Sequence, residues 1–244
     1  MTFKTKGIIL RTIKYGETSL VVSMYTELFG IQSYMVNGVR TSSLKTSSKA
    51  NLFQPATLLD LVVYHNELKN LQRLKEFKWA ILYQHIFREV KKNAVALFMV
   101  ELLQKCLKQP EPYPDLFKFI EDAFMQLDAA DETVTANFPL YFTLHLTHFF
   151  GFRISDDYDE RHTILDLQEG SFLSEKPVYP HFIEGKLSFY TSEILKAMQP
   201  HELAQIRLNQ EIRRELLNAY LVFYAFQSND FGAMKSLPVL QEVL

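Results

Sequence analysis

The hydrophobic period changes near Trp79, and that break constrains the fold more than any other feature of the chain. Upstream of it, GIILRTIKY and TSLVVSMYT are rich in β-branched and aromatic residues and are separated by a turn at Gly16, a hairpin signal. ELFG, ending at Gly30, leads into a third strand, IQSYMVNGV; PATLLDLVVYH and NLQRLKEFKW supply a fourth and fifth, joined near Asn66. Five strands within about 80 residues, with one long connection between the third and fourth, fit a small Greek-key barrel of the OB type. A plain five-stranded meander is the alternative. The long connection, NGVRTSSLKTSSKANLFQP at 37–55, is a run of hydroxyls and cations with almost nothing to bury.

Downstream of Trp79 the period is helical. Leu97, Val100, Leu103 and Leu107 recur at three- and four-residue steps, as do Leu208, Ile212, Leu216, Tyr220 and Phe223, and each set predicts one buried stripe. Pro110, Pro112 and Pro114 in QPEPYP end one helix before another begins. A third helix is expected over Phe138 to Phe150, stopping at Gly151. Residues 152–190 show no sustained period and read as an irregular insertion with short strands around FLSE and KLSFY. The expected fold is therefore α+β: an OB-fold domain over 1–80, then a helical domain over 81–244 carrying the insertion.

Charge divides at the same place. The chain of 244 residues has a net charge of −2, but residues 1–80 hold 11 Lys/Arg against 5 Asp/Glu, leaving the remainder acidic. An apolar share of 48% is that of a folded protein. The single cysteine, Cys106, cannot close an intrachain disulfide, which suits a reducing compartment and makes the cytoplasm the expected location. Uninterrupted apolar stretches such as Ala94 to Val100 are too short to span a bilayer, so no membrane segment is expected.

Catalytic signatures are missing. GxxxxGK[ST], GxGxxG and GxSxG do not occur, and Cys106 sits in an apolar helical pattern where a thiol packs rather than attacks. Asp156, Asp157, Asp159, Glu160 and His162 form the densest acid cluster, but its spacing lacks the glycine of an EF-hand loop and reads as a solvated acidic loop. His145 and His148 share one helical face without a third ligand, an incomplete zinc site, and read as partly exposed helix residues.

The basic residues are the better lead. Lys4, Lys6, Arg11 and Lys14 lie along the first strand, and Arg40, Lys45 and Lys49 are interleaved with serine and threonine in the long connection. Such groups are what phosphate oxygens accept, and Tyr15, Tyr25, Tyr34 and Phe53 in the same domain are candidate stacking platforms for bases. From the residues alone two meanings stay open: a nucleic-acid contact, or a solvated linker beside aromatics that fill the barrel.

The stretch GIILRTIKYGETSLVVSMYTELFGIQSYMVNGVR resembles the opening of the bacterial RecO recombination-mediator family, and the resemblance continues at Gln54-Pro55, Phe150-Gly151-Phe152 and FGAMKSLPVL. It implies an OB-fold followed by a helical domain, in a non-catalytic protein without a cofactor. Such a protein binds single- and double-stranded DNA, anneals complementary strands and works with RecR to help RecA replace single-strand-binding protein. By position, Arg40, Lys45 and Lys49 fall where the family contacts DNA; Arg11 and Lys14 are added from charge. The family's contact with the acidic C-terminal tail of single-strand-binding protein needs an apolar pocket beside cations, for which Arg207, Arg213 and Arg214 are the candidates. Many relatives carry a four-cysteine zinc module after the third helix; residues 152–190 contain no cysteine, so no metal is expected. The rival reading is an OB-fold adaptor for protein partners without direct DNA binding.

Overall fold

The computed structural model describes residues 1–40, 50–228 and 230–244. Its contacts divide into two compact units, one of 1–84 with 107–124 and one of 85–106 with 125–244.

The first unit is a closed five-stranded barrel. Its strands are β1 (Thr2–Tyr15), β2 (Ser19–Thr26), β3 (Gly30–Val36), β4 (Leu58–Tyr64) and β5 (Leu71–Trp79), arranged β1-β2-β3-β5-β4 and back to β1. All neighbours are antiparallel except β3 and β5. β1 starts five residues ahead of the apolar run at Gly7 because its first half pairs β4 while its second half pairs β2, with a register shift between Ile9 and Arg11. Such a bulge bends the strand and lets one segment serve two neighbours in a closed sheet.

Alternation decides what fills the barrel. Leu20, Val22 and Met24 of β2 point inward with Ile9, Tyr34, Leu59 and Val63, all buried. Each such side chain contributes about 1.5–3 kcal/mol by leaving water. The polar run differs from expectation at both ends, where it does bury side chains. Val39 and Phe53 are core residues, and Phe53 ends a 3-10 turn, Asn51–Phe53, with its ring edge-on to Phe77 at 4.8 Å. Thr12 Oγ1 donates to the Phe53 carbonyl at 2.6 Å, while the amides of Val39 and Arg40 both donate to the Thr18 carbonyl at 3.0 Å.

Residues 107–124 cover part of the barrel's outside. Ile8 and Tyr25, which face each other across β1 and β2 on the outer surface, are buried there; Tyr25 packs on Phe117 with ring centroids 5.8 Å apart and donates to the Tyr113 carbonyl at 3.3 Å. Gly30 shows how close this segment comes: a Cβ there would lie 2.2 Å from the Glu111 carbonyl oxygen, and its φ of +59° already favours glycine.

The second unit is helical, with α1 (Val90–Cys106), α3 (Glu132–Leu146), α4 (Lys186–Lys196), α5 (Gln210–Gln227) and α6 (Leu237–Val243); α2 (Pro114–Ala129) begins in the first unit. The third helix starts earlier than its apolar pattern suggests, because the Asp131 carboxylate caps it by accepting from the Val134 amide at 2.8 Å. It gives way at Leu146 to a 3-10 turn, Thr147–Phe150, and Gly151 at φ +76° ends it as expected. Leu97, expected in a buried stripe, is 40% exposed, whereas Val100, Leu103 and Leu107 are buried. The helix buries neighbouring positions such as Phe98, Met99 and Leu102, so its apolar face is centred elsewhere.

The insertion is more ordered than an aperiodic sequence suggests. Three short strands, β6 (Ile164–Asp166), β7 (Phe172–Leu173) and β8 (Phe182–Ile183), form a sheet ordered β7-β6-β8. Its buried Asp166 carboxylate accepts from the Gln168 amide at 2.8 Å and from the Tyr179 hydroxyl, whose pKa that bond pushes up to about 12. KLSFY, read as a strand, instead opens α4. Gly185 at φ +63° breaks the extended chain, and Ser188, Thr191, Ser192 and Ile194 then fall on one buried helical face. No helix among the described residues is long and apolar enough to cross a membrane.

Candidate nucleic-acid interface

Because side chains alternate along a strand, the barrel registers fix which residues meet on its outer surface. One transverse row runs Arg11, Ser23, Ser33, Leu71 across β1, β2, β3 and β5. The next runs Ile13, Val21, Met35, Arg73, Tyr64 and crosses all five strands. Tyr15 and Ser19 pair beyond it, next to the turn at Gly16. Ile13, Tyr15, Tyr64 and Leu71 are exposed, which is unusual for adjacent apolar groups on one sheet face. Neither Arg11 nor Arg73 has a carboxylate partner among the described residues. The surface therefore offers uncompensated guanidinium groups beside flat apolar side chains.

The opposite wall, on β1, β4 and β5, is built differently. Its rows are Lys4, Val62, Glu76 and Lys6, Asp60, Lys78. Lys78 pairs with Asp60 at 3.5 Å, Lys75 with Glu76 at 3.7 Å and Lys6 with Glu121 at 2.5 Å. The bond to Glu121 raises the Lys6 pKa further. A groove here holds cations and carboxylates in alternation, Glu27 among them.

The residues singled out in the sequence separate accordingly. Arg11 lies on the first wall. Lys14 pairs with the inward Leu20 and so leaves β1 on the other side, exposed only because it is at the barrel's end. Arg40 sits on the β1–β2 turn, its Nη1 donating to the Gly16 carbonyl at 3.1 Å. Lys45 and Lys49 lie outside the described residues. Of the four aromatic candidates only Tyr15 is available to a ligand, since Tyr25, Tyr34 and Phe53 are buried. Arg73, Tyr64 and Met35 were missed by sequence reasoning. The parity of β5 places Leu71 and Arg73 on one face, but only the parallel pairing with β3 brings them beside β1 and β2.

In the second unit, Arg213 donates to the Leu208 carbonyl at 2.7 Å and the Leu244 carbonyl at 2.8 Å, and Arg214 donates to the Gln241 carbonyl at 3.1 Å. They border a small apolar cleft lined by Pro139, Leu140, Leu217 and Leu240. Arg207 is exposed. His148 is exposed and His145 is half-buried, as expected, with its Nε2 shut off from solvent. Burial pushes its pKa down to about 4, and it lies on Tyr141 with ring centroids 4.1 Å apart. The acidic run is held by hydrogen bonds: Asp156 accepts from Ser192 Oγ of α4 at 2.7 Å, and Asp159 accepts from the Arg161 and His162 amides of its own loop, each at 2.7 Å. Those bonds, the His162 amide foremost, hold the Asp159 carboxyl down at about 2. No group of three or more His, Cys, Asp or Glu able to hold a metal ion occurs among the described residues.

Comparison with known proteins matches the chain in two successive parts. The family described as Recombination protein O N terminal matches residues 1–83, and Recombination protein O C terminal matches residues 88–238. A protein of Christiangramia forsetii named DNA repair protein RecO is 33% identical over all of this chain and 99% of its own length. Proteins of the same name from Flavobacterium psychrophilum and Azobacteroides pseudotrichonymphae are 31% and 28% identical over the same shares. With two family models in succession over most of its length and relatives matched over the whole of it, the chain belongs to the Recombination protein O (RecO) family.

Proposed function

We propose that this protein is a cytoplasmic recombination mediator that binds single- and double-stranded DNA through the wall bearing Arg11 and Arg73, anneals complementary strands, and with RecR helps load RecA onto DNA coated by single-strand-binding protein. The observation that carries this reading is the pair of uncompensated guanidinium groups flanking exposed Ile13, Tyr15 and Tyr64. Phosphates take the cations and unpaired bases stack on the aromatic faces, the combination by which OB barrels hold strands without reading sequence. Arg40 extends the cationic surface and Lys14 adds charge at the barrel's end, while Lys45 and Lys49 are proposed as further phosphate contacts. Annealing follows if neutralised phosphates let two strands approach. In the second unit, the apolar cleft beside Arg213 and Arg214 is the proposed seat of the acidic tail of single-strand-binding protein, with Arg207 as a further cation.

The test is fluorescence anisotropy of a labelled single strand at two salt concentrations, followed by the complementary strand. Salt-sensitive binding with accelerated annealing is expected. Replacing Arg40, Lys45 and Lys49 together by Ala should remove about 2 from the log-log salt slope, at about 0.7 per phosphate contact, with little change in thermal stability. No binding even at low salt would overturn the DNA reading in favour of an adaptor that uses the same apolar face for protein partners.

A further inference from the structure

The first outer wall is not flat. At its centre the cross-strand pair Ser23 and Ser33 replaces the larger pairs on either side, Val21 with Met35 and Tyr25 with Ile31. Directly opposed residues of antiparallel strands lie about 5 Å apart at Cβ, so two small side chains there leave a trough in the sheet surface. A groove of about 450 Å³ results, bounded by Ile31, Gln32, the β4–β5 connection and Pro110.

One bank of this trough is preorganised. Gln72 accepts from the Asn66 amide at 2.9 Å and donates to the carbonyls of Asn66 at 2.9 Å and Lys69 at 2.5 Å, fixing the connection from below. His65 is stacked on Phe29, with ring centroids 3.9 Å apart and planes within 15°. What the bank presents is unsatisfied. The side chains of Ser23, Ser33, Lys69 and Asn70 have no hydrogen-bond partner among the described residues. A rigid concave site whose donors and acceptors are unpaired is built for a ligand that pairs them.

We infer that this trough takes one unpaired nucleobase of a bound strand, an inference that rests on the DNA-binding reading above. The chemistry favours a base over a phosphate. Lys69 shares the rim with Glu67, so the lining carries no net positive charge to favour a phosphate, whereas two hydroxyls and a carboxamide match the mixed donors and acceptors of a base edge. Ile31 and Pro110 supply apolar surface for the base's face. A paired base has its edge occupied and cannot enter, so the trough should distinguish single strands from duplex, which the cations alone do not.

The test uses the full chain with Ser23→Val and Ser33→Val combined, a change that fills the trough, removes both hydroxyls and suits a strand. Asn70→Ala, on an exposed loop, serves as a second variant that leaves the sheet untouched. Each is titrated against a labelled single strand, an abasic strand of equal length and a duplex. Relative to wild type, the double variant should bind the single strand about tenfold more weakly, the loss expected for a base's contacts, and the duplex equally well. Wild type should hold the abasic strand at least as weakly as the variant holds the normal one, because the abasic strand also lacks the bases that stack on Tyr15 and Tyr64. Unchanged single-strand affinity in both variants, or an equal loss on the duplex or on the abasic strand, would overturn the trough. Failure of wild type itself to bind any strand would instead remove the DNA-binding reading beneath it.

Discussion

The wall built on Arg11 and Arg73 and the wall built on Lys4 and Lys78 belong to one barrel and both carry cations, yet only the second answers most of its charges with carboxylates. Net charge does not separate them; neutralisation does. A lysine whose nearest neighbour is a carboxylate projects little field beyond it, because opposite charges a few ångströms apart cancel at the distance of a ligand. A guanidinium beside Ile13 and Met35 has no such neighbour and remains available to an anion. The chain's slight overall acidity is thus no argument against a nucleic-acid partner, since what matters is whether one face is left uncompensated.

The strongest way to break this comparison is to remove the charges from the first wall. Arg11→Ala with Arg73→Ala should lower single-strand affinity and reduce the log-log salt slope by about 1.4, two contacts at about 0.7 each. Both side chains leave the barrel surface without an ion pair, so the thermal midpoint should hardly move. An unchanged slope in anisotropy titrations would make the two walls equivalent and end the assignment.

A smaller effect sharpens the comparison by separating charge from stacking. Tyr15 is 58% exposed at the end of β1, and Tyr15→Ala removes an aromatic face without removing a charge. Affinity for a single strand should fall about tenfold, within the range of one base–aromatic stack, while the salt slope stays as it was. Tyr15→Phe should restore binding. A change in slope on Tyr15→Ala would mean that the residue positions cations rather than bases.

How much of this was legible beforehand depends on the range of the contacts. Strand identity and the long third connection follow from local signals, namely alternation, Gly16 and the break at Trp79, which leave the OB order and a plain meander both open. Arg11 stands out as a cation in an apolar strand. Arg73 does not, because its partners on the wall lie in other strands, and the β3–β5 pairing that brings them together is a non-local property of closure. The burial of Tyr25 was equally hidden. Tyr34 points inward by parity, but Tyr25 points outward and is buried only because residues 113–117 lie over it. α4 was misread for a related reason. KLSFY has strand-like residues, and only the conformation at Gly185 and the distant Tyr220 hydroxyl, 2.9 Å from Thr191, reveal the helical face.

The smallest expected effect tests the second wall. Lys4 has no ion pair among the described residues and Lys78 has one at 3.5 Å with Asp60, so replacing both by Ala removes as many charges as the Arg11 and Arg73 pair of changes. If total charge governed DNA affinity, the salt slope would drop by the same about 1.4. If local neutralisation governs it, the slope should stay within about 0.3 of wild type, since Asp60 and Glu76 already screen this surface from phosphate. Stability should change by less than about 1 kcal/mol, the ordinary worth of an exposed ion pair. A full loss of slope here, matched by the Arg11 and Arg73 variant, would show that the strand is wrapped around the barrel rather than laid across one side. The two walls would then be halves of a single circumferential site, and the carboxylates of the second would act to weaken binding instead of excluding it.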